Sequence, residues 1–127
     1  MTDTTSPGDT GHGELQIEAP HRELLDQVLD KWSLSVLNEL CEQPRRFNEL
    51  RRGIPAVTQK SLTATLRRLE RNGIIARELI STRPVAVEYR ITPLGTTLRK
   101  PIDTLLAWAD VCLPRIEAAR KAFDAQE

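Results

Sequence analysis

One stretch, from Thr58 to Gly73, constrains the fold of this chain more than any other, because it carries the signals for both ends of a helix. Thr58 is a favourable N-cap, whose hydroxyl accepts a hydrogen bond from a free amide of the first turn. Gly73 suits the position just after a helix, where the backbone often turns left-handed. Leu62, Leu66 and Leu69 recur at i, i+4 and i+7 and predict one narrow buried face.

The opposite face of this predicted helix is basic and carries small polar side chains. At about 100° per residue, it presents Lys60, Ala64, Arg67 and Arg71, flanked by Ser61, Thr63 and Arg68. The major groove of DNA is about 12 Å wide and suits such a surface, since arginine binds a guanine edge and small methyl groups meet thymine. A solvated amphipathic surface helix would show the same pattern, so the helix alone does not decide between these interpretations.

Charge is distributed unevenly along the chain, although the formal net charge is zero. Residues 1–43 contain two basic and nine acidic side chains, a net charge of −7, whereas residues 44–90 contain eleven basic and four acidic ones, a net charge of +7. Residues 91–127 contain five of each. Because the positive charge surrounds the predicted helix, this segment is expected to face a polyanion, with chance segregation of charge as the alternative.

Length and cysteine content narrow the class of protein. The 127 residues suffice for one domain. Cys41 and Cys112 form no CxxC pair and have no nearby histidine, so neither a metal site nor a disulfide framework is expected, and no cofactor either. Both lie among Leu and Val and are expected to be buried free thiols. No signal peptide is recognised and no apolar run approaches the roughly 20 residues of a membrane span, so a cytoplasmic location is expected.

The segment before the basic helix predicts a tail and three helices. Residues 1–13 are rich in Thr, Asp, Gly, Ser and Pro and predict a disordered tail. Residues 14–30 predict an N-terminal helix that forms a dimer arm. A second helix is expected from Asp30 or Ser33 and should stop before Pro44. A short third helix follows, with Asn48 as N-cap and Phe47 as a hydrophobic staple.

Two strand-like segments, residues 74–80 and 85–91, follow the basic helix, and a turn-rich tip at residues 81–84 separates them. A short helix, a tight turn, a basic helix and a hairpin together predict a winged helix-turn-helix over residues 31–92. Thr82 and Arg83 lie in the wing. Arg83 could enter a minor groove, where narrow A·T tracts attract a cation, or it could serve only as a solubilising tip residue.

Residues 93–127 begin with Thr92 and Pro93, a cap followed by proline at the first helical position. Pro101 and Pro114 are each expected to kink or divide the following helix. The fold class is therefore α+β, mainly α, with N- and C-terminal helices added to the winged core. These helices carry more apolar surface than one small core needs, and we expect a homodimer, with packing onto the same subunit as the alternative. The expected dimer interface comprises Leu24, Leu25, Val28, Leu98, Ile102, Leu105, Trp108 and Ile116.

Four spaced motifs carry a resemblance to a known family. They are Trp32, the run Arg45-Arg46-Phe47-Asn48-Glu49-Leu50, the pairs Ser61-Leu62 and Leu66-Arg67 in the helix, and Val87-Glu88-Tyr89 before Ile91-Thr92-Pro93-Leu94-Gly95. Together they resemble the HxlR family of small winged-helix bacterial transcription regulators, relatives of the MarR type, over about residues 20–108. The resemblance implies a homodimer formed by the terminal helices, with a recognition helix and a wing from each subunit on a palindromic operator.

The chain departs from this family at its N-terminus. Many members carry a redox-active cysteine shortly before the tryptophan, usually followed by proline, whereas alignment on Trp32 places Ala19 and Pro20 there. Thiol sensing at this position is therefore not expected, and Cys41 and Cys112 are poor substitutes if both are buried. Any effector is expected instead to be a small apolar molecule between the terminal helices and the winged core, near Trp32 and Trp108.

These observations predict a sequence-specific regulator that binds double-stranded DNA as a homodimer. The expected base-reading residues are Lys60, Ser61, Thr63, Ala64 and Arg67, and the expected phosphate contacts are Arg45, Arg46, Arg51, Arg52, Gln59, Arg68 and Arg71. The alternative is a winged-helix protein-interaction module whose basic face meets an acidic partner, which the small residues Thr63 and Ala64 disfavour. An enzyme is the weakest reading, because His12 and His21 have no spacing that builds a nucleophile–base pair.

Overall fold

Six helices and a two-stranded sheet make up the part of the chain that the structure, a computed structural model, describes, residues 16–126. The predicted tail at residues 1–13 and His12 lie outside the described residues. The elements are α1 (Ala19–Val28), α2 (Lys31–Leu40), α3 (Phe47–Gly53), α4 (Gln59–Arg71), β1 (Ile75–Thr82), β2 (Val85–Ile91), α5 (Pro93–Thr96) and α6 (Arg99–Gln126). This order confirms the predicted fold class, a mainly helical winged helix-turn-helix.

Helix α4 is the basic helix predicted from the sequence, and both of its end signals are confirmed. Thr58 Oγ1 accepts a hydrogen bond from the Ser61 amide at 3.0 Å, a cap that typically stabilises a helix by about 1 kcal/mol. Gly73 has φ +75°, and the amides of Gly73 and Ile74 donate to the carbonyls of Glu70 and Leu69 at 3.0 Å. These two bonds form a Schellman motif, which ends the helix at a fixed residue.

The hydrophobic core lies where α2, α4 and β1 meet. Leu62, Leu66 and Leu69 of α4 are at most 2% exposed, as their spacing predicts, and Thr65 on the same side is also buried. The other buried apolar side chains are Val28, Val36, Leu37, Leu40, Leu50, Ile54, Val57, Ile74 and Ile75. Because this core takes up the whole apolar face of α4, the opposite face of the helix is left in solvent.

Of the N-caps predicted for α2 and α3, the structure confirms that of α2 and contradicts that of α3. Asp30 is the N-cap of α2, and its Oδ2 accepts from the amides of Trp32 at 3.1 Å and Ser33 at 3.4 Å. The prediction that Asn48 caps α3 is wrong, since Arg46 occupies that position. The helix begins at Phe47, one residue before Asn48, and the Glu49 carboxylate accepts from the amide of the N-cap residue Arg46 at 2.7 Å.

The hairpin is longer and tighter than its sequence suggests. Strands β1 and β2 pair antiparallel from Ile75 opposite Ile91 to Thr82 opposite Val85, with an irregularity between Leu79 and Ser81. The connection is therefore two residues, 83–84, and the predicted four-residue tip is wrong because residues 81 and 82 belong to β1.

A third extended segment joins the hairpin, which the sequence did not indicate. Arg45 and Tyr89 exchange two backbone hydrogen bonds of 3.0 and 2.8 Å. The connection between α2 and α3 is thereby paired to the edge of β2, and the backbone before α3 is held in place.

The C-terminal segment is capped as predicted, but it divides at a different position. The Gly95 amide donates to Thr92 Oγ1 at 3.0 Å, which confirms the cap of α5. The chain then divides at residues 97–98. Pro101 falls in the first turn of α6, where a missing amide costs little, and Pro114 lies inside an uninterrupted helix of 28 residues. The expectation that either proline divides the helix is therefore wrong.

Gly95 is the point of closest approach between this segment and the core. It is buried, and a Cβ there would collide with the carbonyl oxygen of Ile74 and lie 2.7 Å from a side-chain carbon of Ile91. The Thr92 hydroxyl lies 2.6 Å from the Gly73 carbonyl oxygen and 3.0 Å from that of Ile74. The threonine and glycine of the Thr-Pro-Leu-Gly motif thus join the end of α4 to the start of α5.

We predict that Gly95→Ala lowers the free energy of unfolding by about 1–3 kcal/mol, because a backbone carbonyl cannot move aside as a side chain does. The measurement is chemical denaturation. Gly53→Ala is the matched control, since its Cβ would meet only the carboxylate end of Glu39, a flexible side chain, and its effect should stay within about 0.5 kcal/mol. Equal losses in the two variants would contradict this explanation of Gly95.

Candidate nucleic-acid interface

The exposed face of α4 carries the side chains that the sequence assigns to base reading. Lys60, Thr63, Ala64 and Arg67 are exposed and Ser61 is half-buried. They lie opposite the buried leucines or flank that face, so their direction is fixed by the packing of the same helix. Thr63 and Ala64 are shorter than Lys60 and Arg67, which suits insertion of this face into a groove.

Helix α3 and the residues before it carry further arginines. Arg51 and Arg52 are exposed in the last turn of α3, where a cation also interacts favourably with the free carbonyls. Arg46 is exposed at the N-cap. Arg45 is half-buried, and its Nε donates to the Glu39 carbonyl at 3.3 Å.

Arg68 must be removed from the predicted phosphate contacts. Its terminal nitrogen Nη2 lies 3.0 Å from Asp30 Oδ2 and 3.2 Å from Ser33 Oγ, so the guanidinium turns toward α2 and away from the exposed face. A helical wheel places Arg68 at the edge of the basic face and cannot show that its partner is 38 residues earlier in the chain. Gln59 and Arg71, at the two ends of α4, are both exposed.

An open cleft of about 550 Å³ lies between α3, α4 and the hairpin. It is lined by Phe47, Gln59, Thr63, Leu66, Arg67, Glu70, Arg77 and Tyr89. Arg77 and Tyr89 face each other across the strand pair, and neither is among the site residues predicted from the sequence. The available signal for Arg77 was its membership of the basic segment 44–90. Its pairing with Tyr89 depends on the strand register, which the sequence does not give.

Ion pairs within the described residues occupy few of the cations in this region. Of the eleven basic side chains in residues 44–90, Arg68 pairs with Asp30 and Arg90 pairs with Glu78 at 2.6 Å. The other nine form no ion pair to another residue of the described part of the chain. The wing tip adds Thr82 and Arg83, both exposed. Within residues 16–126, most cations of α4, α3 and the wing are therefore not paired with a carboxylate, which suits a polyanion.

A second surface, formed by the terminal helices, is apolar. None of the residues of α6 is buried, and Leu105, Leu106, Trp108 and Val111 are each more than half exposed. Leu24 and Leu25 of α1 are 45% and 42% exposed, and Ile116 is half-buried. The assignment of Val28 to the dimer interface is wrong, since Val28 is 2% exposed and lies in the core of its own subunit. Leu98 and Ile102, assigned to the same interface, are half-buried and also pack against this core.

A cavity of about 340 Å³ lies between α2, the end of β2, α5 and α6. Its apolar lining is Leu34, Leu37, Ile91, Leu98, Ile102 and Leu106, and its polar lining includes Ser35, Asn38, Thr96, Arg99 and Asp103. Neither Trp32 nor Trp108 lines it, contrary to our expectation. Trp32 packs against the core with Lys31 Nζ 4.6 Å from its ring centroid, and Trp108 is 58% exposed.

The two cysteines are less buried than the sequence suggests. Cys41 is partly exposed and lines this cavity, and Cys112 is partly exposed on α6. The expectation of two buried thiols is therefore wrong, because α2 ends at Leu40 and α6 extends beyond the core. Ala19, at the position of the family's N-terminal cysteine, is the first residue of α1.

Neither a membrane-spanning helix nor a metal-binding cluster is found among residues 16–126. These residues contain no helix long and apolar enough to cross a membrane. They also contain no cluster of three or more His, Cys, Asp or Glu side chains that could hold a metal ion.

Known proteins share both the sequence pattern and the fold. A family model described as HxlR-like helix-turn-helix matches residues 27–117. The HTH-type transcriptional regulator YdeP of Bacillus subtilis (strain 168) is 42% identical over 108 residues, which cover 83% of this chain and 84% of YdeP.

Two solved structures extend the likeness to three dimensions. The redox regulator HypR in its reduced form has a TM-score of 0.71 and 34% identity, with 79% of this chain and 99% of that chain covered. The reduced form of the transcriptional regulator YodB from B. subtilis has a TM-score of 0.67 and 30% identity, with 75% and 93% covered. From its winged fold and from these matches together, the chain belongs to the HxlR-like helix-turn-helix family of transcriptional regulators.

Proposed function

We propose that the protein is a homodimeric, sequence-specific DNA-binding transcription regulator that acts on a palindromic operator in the cytoplasm. The observation that carries this proposal is the exposed face of α4, basic at Lys60 and Arg67 and low at Thr63 and Ala64, with its direction fixed by the buried leucines of the same helix. The family of transcriptional regulators to which the chain belongs supports DNA as the partner.

Different residues are proposed to supply affinity for DNA and discrimination between DNA sequences. Arg46, Arg51 and Arg52 are exposed at the N-cap and in the last turn of α3, and they are proposed to contact phosphates, which position the protein without reading sequence. Lys60, Ser61, Thr63, Ala64 and Arg67 project from α4 and are proposed to read base edges in the major groove. Arg83 at the wing tip is proposed to reach an adjacent minor groove. Arg77 of β1 is proposed to contact DNA as well, since it lines the same cleft as Arg67.

The apolar surface of the terminal helices supports the dimer. Helix α6 spans 28 residues, or about 42 Å at 1.5 Å per residue, and none of its residues is buried in the subunit. Exposed large apolar side chains in a continuous helix are typical of a protein–protein contact. A two-fold dimer presents two α4 helices related by symmetry, so its operator is expected to be an inverted repeat with half-sites about one helical turn apart.

The cavity beside α6 suits a small, neutral, apolar effector. Its volume of about 340 Å³ lies at the lower end of the range for ligand pockets, and six apolar side chains line it. The charged side chains at its wall, Arg99 and Asp103, lie 3.8 Å apart and offset each other, so the cavity offers no net charge to an ionic ligand. Since α6 also carries the proposed dimer surface, a molecule bound here would touch the helix that sets the distance between the two subunits.

The first test selects bound duplexes from random sequence and measures affinity against salt. We expect an inverted repeat, a particle mass of two chains by light scattering at micromolar concentration, and a log–log salt slope of about −0.9 per phosphate neutralised. Binding that does not change with salt, or that is absent with every duplex, would favour a protein-interaction module instead.

The dimer has a matched pair of variants within this test. Leu105→Glu combined with Trp108→Glu places two carboxylates on the exposed apolar surface and should give monomers that no longer select an inverted repeat. Lys100→Glu adds negative charge at an exposed position of the same helix and should remain dimeric. Dimers in both proteins would place the interface elsewhere.

A second test separates base reading from phosphate binding. Arg67→Ala should cost about 1–3 kcal/mol on the selected site and relax specificity at one position of each half-site, because it removes a base-edge donor. Arg51→Ala should weaken binding to all sequences about equally. Loss of specific and random DNA in the same proportion by both variants would show that the recognition face is misassigned.

The third test concerns the cavity and uses the neutral fluorescent probe N-phenyl-1-naphthylamine. The probe should bind at one site per chain and change the affinity for the selected operator. Leu106→Trp fills the cavity and should weaken probe binding about tenfold or more, a difference of about 1.4 kcal/mol. Leu113→Trp makes the same change at an exposed position outside the cavity and should leave binding unaltered. Equal probe affinity in the two variants would exclude this cavity.

A further inference from the structure

We propose that Arg68 and Asp30 form a positioning pair that fixes the recognition helix α4 relative to the dimer arm α1, and thereby sets the half-site spacing that the dimer accepts. The inference rests on the proposed function, because spacing has meaning only for a dimer on an inverted repeat. Arg68 would then act in DNA recognition without touching DNA.

Arg68 forms four hydrogen bonds, and none of their acceptors lies on the exposed face of α4 that is proposed to meet DNA. Its Nη2 donates to Asp30 Oδ2 at 3.0 Å, to Ser33 Oγ at 3.2 Å and to Thr65 Oγ1 at 3.5 Å. Its Nε donates to the Gln27 carbonyl oxygen at 3.4 Å. The Ser33 hydroxyl donates to that same carbonyl at 2.8 Å. One guanidinium therefore bonds to the last turn of α1, to the N-cap of α2 and to α4 itself.

Asn72 makes a second connection between the same two helices. Its Nδ2 donates to Gln27 Oε1 at 2.7 Å and to the Arg68 carbonyl oxygen at 2.8 Å. Gln27 thus meets α4 through its backbone carbonyl at Arg68 and through its side-chain amide at Asn72. Two connections one turn apart on α4 resist rotation of α1 about either of them, which a single ion pair would not.

Two buried polar side chains of this network favour a single arrangement of its hydrogen bonds. Ser33 is 0% exposed and Thr65 is 1% exposed, while the side chains of Arg68 and Asp30 are 29% and 36% exposed. Buried polar groups are destabilising unless they keep their partners, so Ser33 and Thr65 favour the arrangement that satisfies them. The half-exposed pair itself is expected to add little to stability. Its contribution is therefore to orientation more than to folding.

Helix α1 has few other attachments to residues 16–126 of its own subunit. Val28 is its one buried residue, and Leu24 and Leu25 are exposed and proposed to meet the partner. The end of α1 that holds Val28 is the end that meets Arg68. A partner subunit that fixes α1 therefore also fixes α4, through the Gln27 carbonyl and the Asp30 carboxylate.

This link has a consequence for the operator. Changing the distance between half-sites by one base pair rotates one relative to the other by about 34° and moves it by about 3.4 Å. If α4 is held rigidly to the dimer arm, neither subunit can follow that change, and affinity falls sharply with each step. If the link is broken, the dimer arm α1 can reorient relative to α4, and the dimer should tolerate more spacings.

The experiment measures the affinity of the full-length protein for the selected inverted repeat at its own spacing and at spacings altered by one and two base pairs. Asp30→Ser is the main variant, because serine keeps the N-cap of α2 but is too short to hold Arg68. Arg68→Gln removes the other partner. Asp26→Asn is the control, since it removes a carboxylate from the exposed side of α1 outside the network.

Wild type and Asp26→Asn should lose about tenfold in affinity per base pair of altered spacing, whereas Asp30→Ser and Arg68→Gln should each lose about threefold or less. The double variant should resemble either single variant, because each removes the same link. All should remain dimers by light scattering. A merely structural role would lower the fraction of active protein at every spacing and leave the preference for spacing unchanged.

The outcomes distinguish the inference from the proposed function. Wild type that selects no sequence would defeat the function. Wild type that selects an inverted repeat, while Asp30→Ser and Arg68→Gln keep its spacing profile, would overturn the positioning pair alone. Loss of the cooperative unfolding transition in both variants would show that the pair is needed for folding, and it would overturn the proposal equally.

Discussion

The buried leucine face of α4 is the interaction on which the rest of this structure depends. Leu62, Leu66 and Leu69 insert between α2 and β1, and their burial orients every other side chain of the helix. Burying a leucine side chain contributes roughly 1.5–3 kcal/mol, more than any exposed charge on the opposite face contributes to stability. The core therefore decides which way the recognition residues point, and the cations can be placed for binding without being needed for folding.

Local signals in the sequence were sufficient where one short segment contains all the partners. The caps at Thr58, Asp30 and Thr92 lie within three residues of the amides that they accept from, and the structure confirms each of them. The predicted cap at Asn48 was wrong because α3 begins one residue earlier, at Phe47, and Glu49 accepts from the amide of the N-cap residue Arg46. Leucine spacing likewise identified the core face of α4, because a helix repeats over a few residues whatever it packs against.

Side chains whose partners are distant in sequence could not be assigned in this way. Arg68 looks like a phosphate contact on a helical wheel, but it bonds Asp30, 38 residues earlier. Leu98 and Ile102 were predicted as dimer residues, and nothing in the sequence indicated that they also pack against the core of their own subunit. The lining of the cavity could not be predicted, although its place between a terminal helix and the winged core was, because its walls come from four elements and only their packing creates the space. Trp32 and Trp108 were expected to lie near it, but neither side chain lines the cavity.

The two surfaces of the protein are related by the way α1 and α6 are attached. Helix α6 meets its subunit through residues near its start and extends beyond it, and α1 is attached through Val28 and polar bonds at its C-terminal end. Burial within the subunit therefore contributes little to holding either helix in place, since α1 buries one residue and α6 buries none. Weak attachment leaves the apolar faces of both helices available to the second subunit that we propose, and the polar bonds at the end of α1 are made to α4. In the proposed DNA-bound dimer, the geometry of the interface and that of the groove contacts depend on the same small set of contacts, those of Gln27, Asp30 and Arg68.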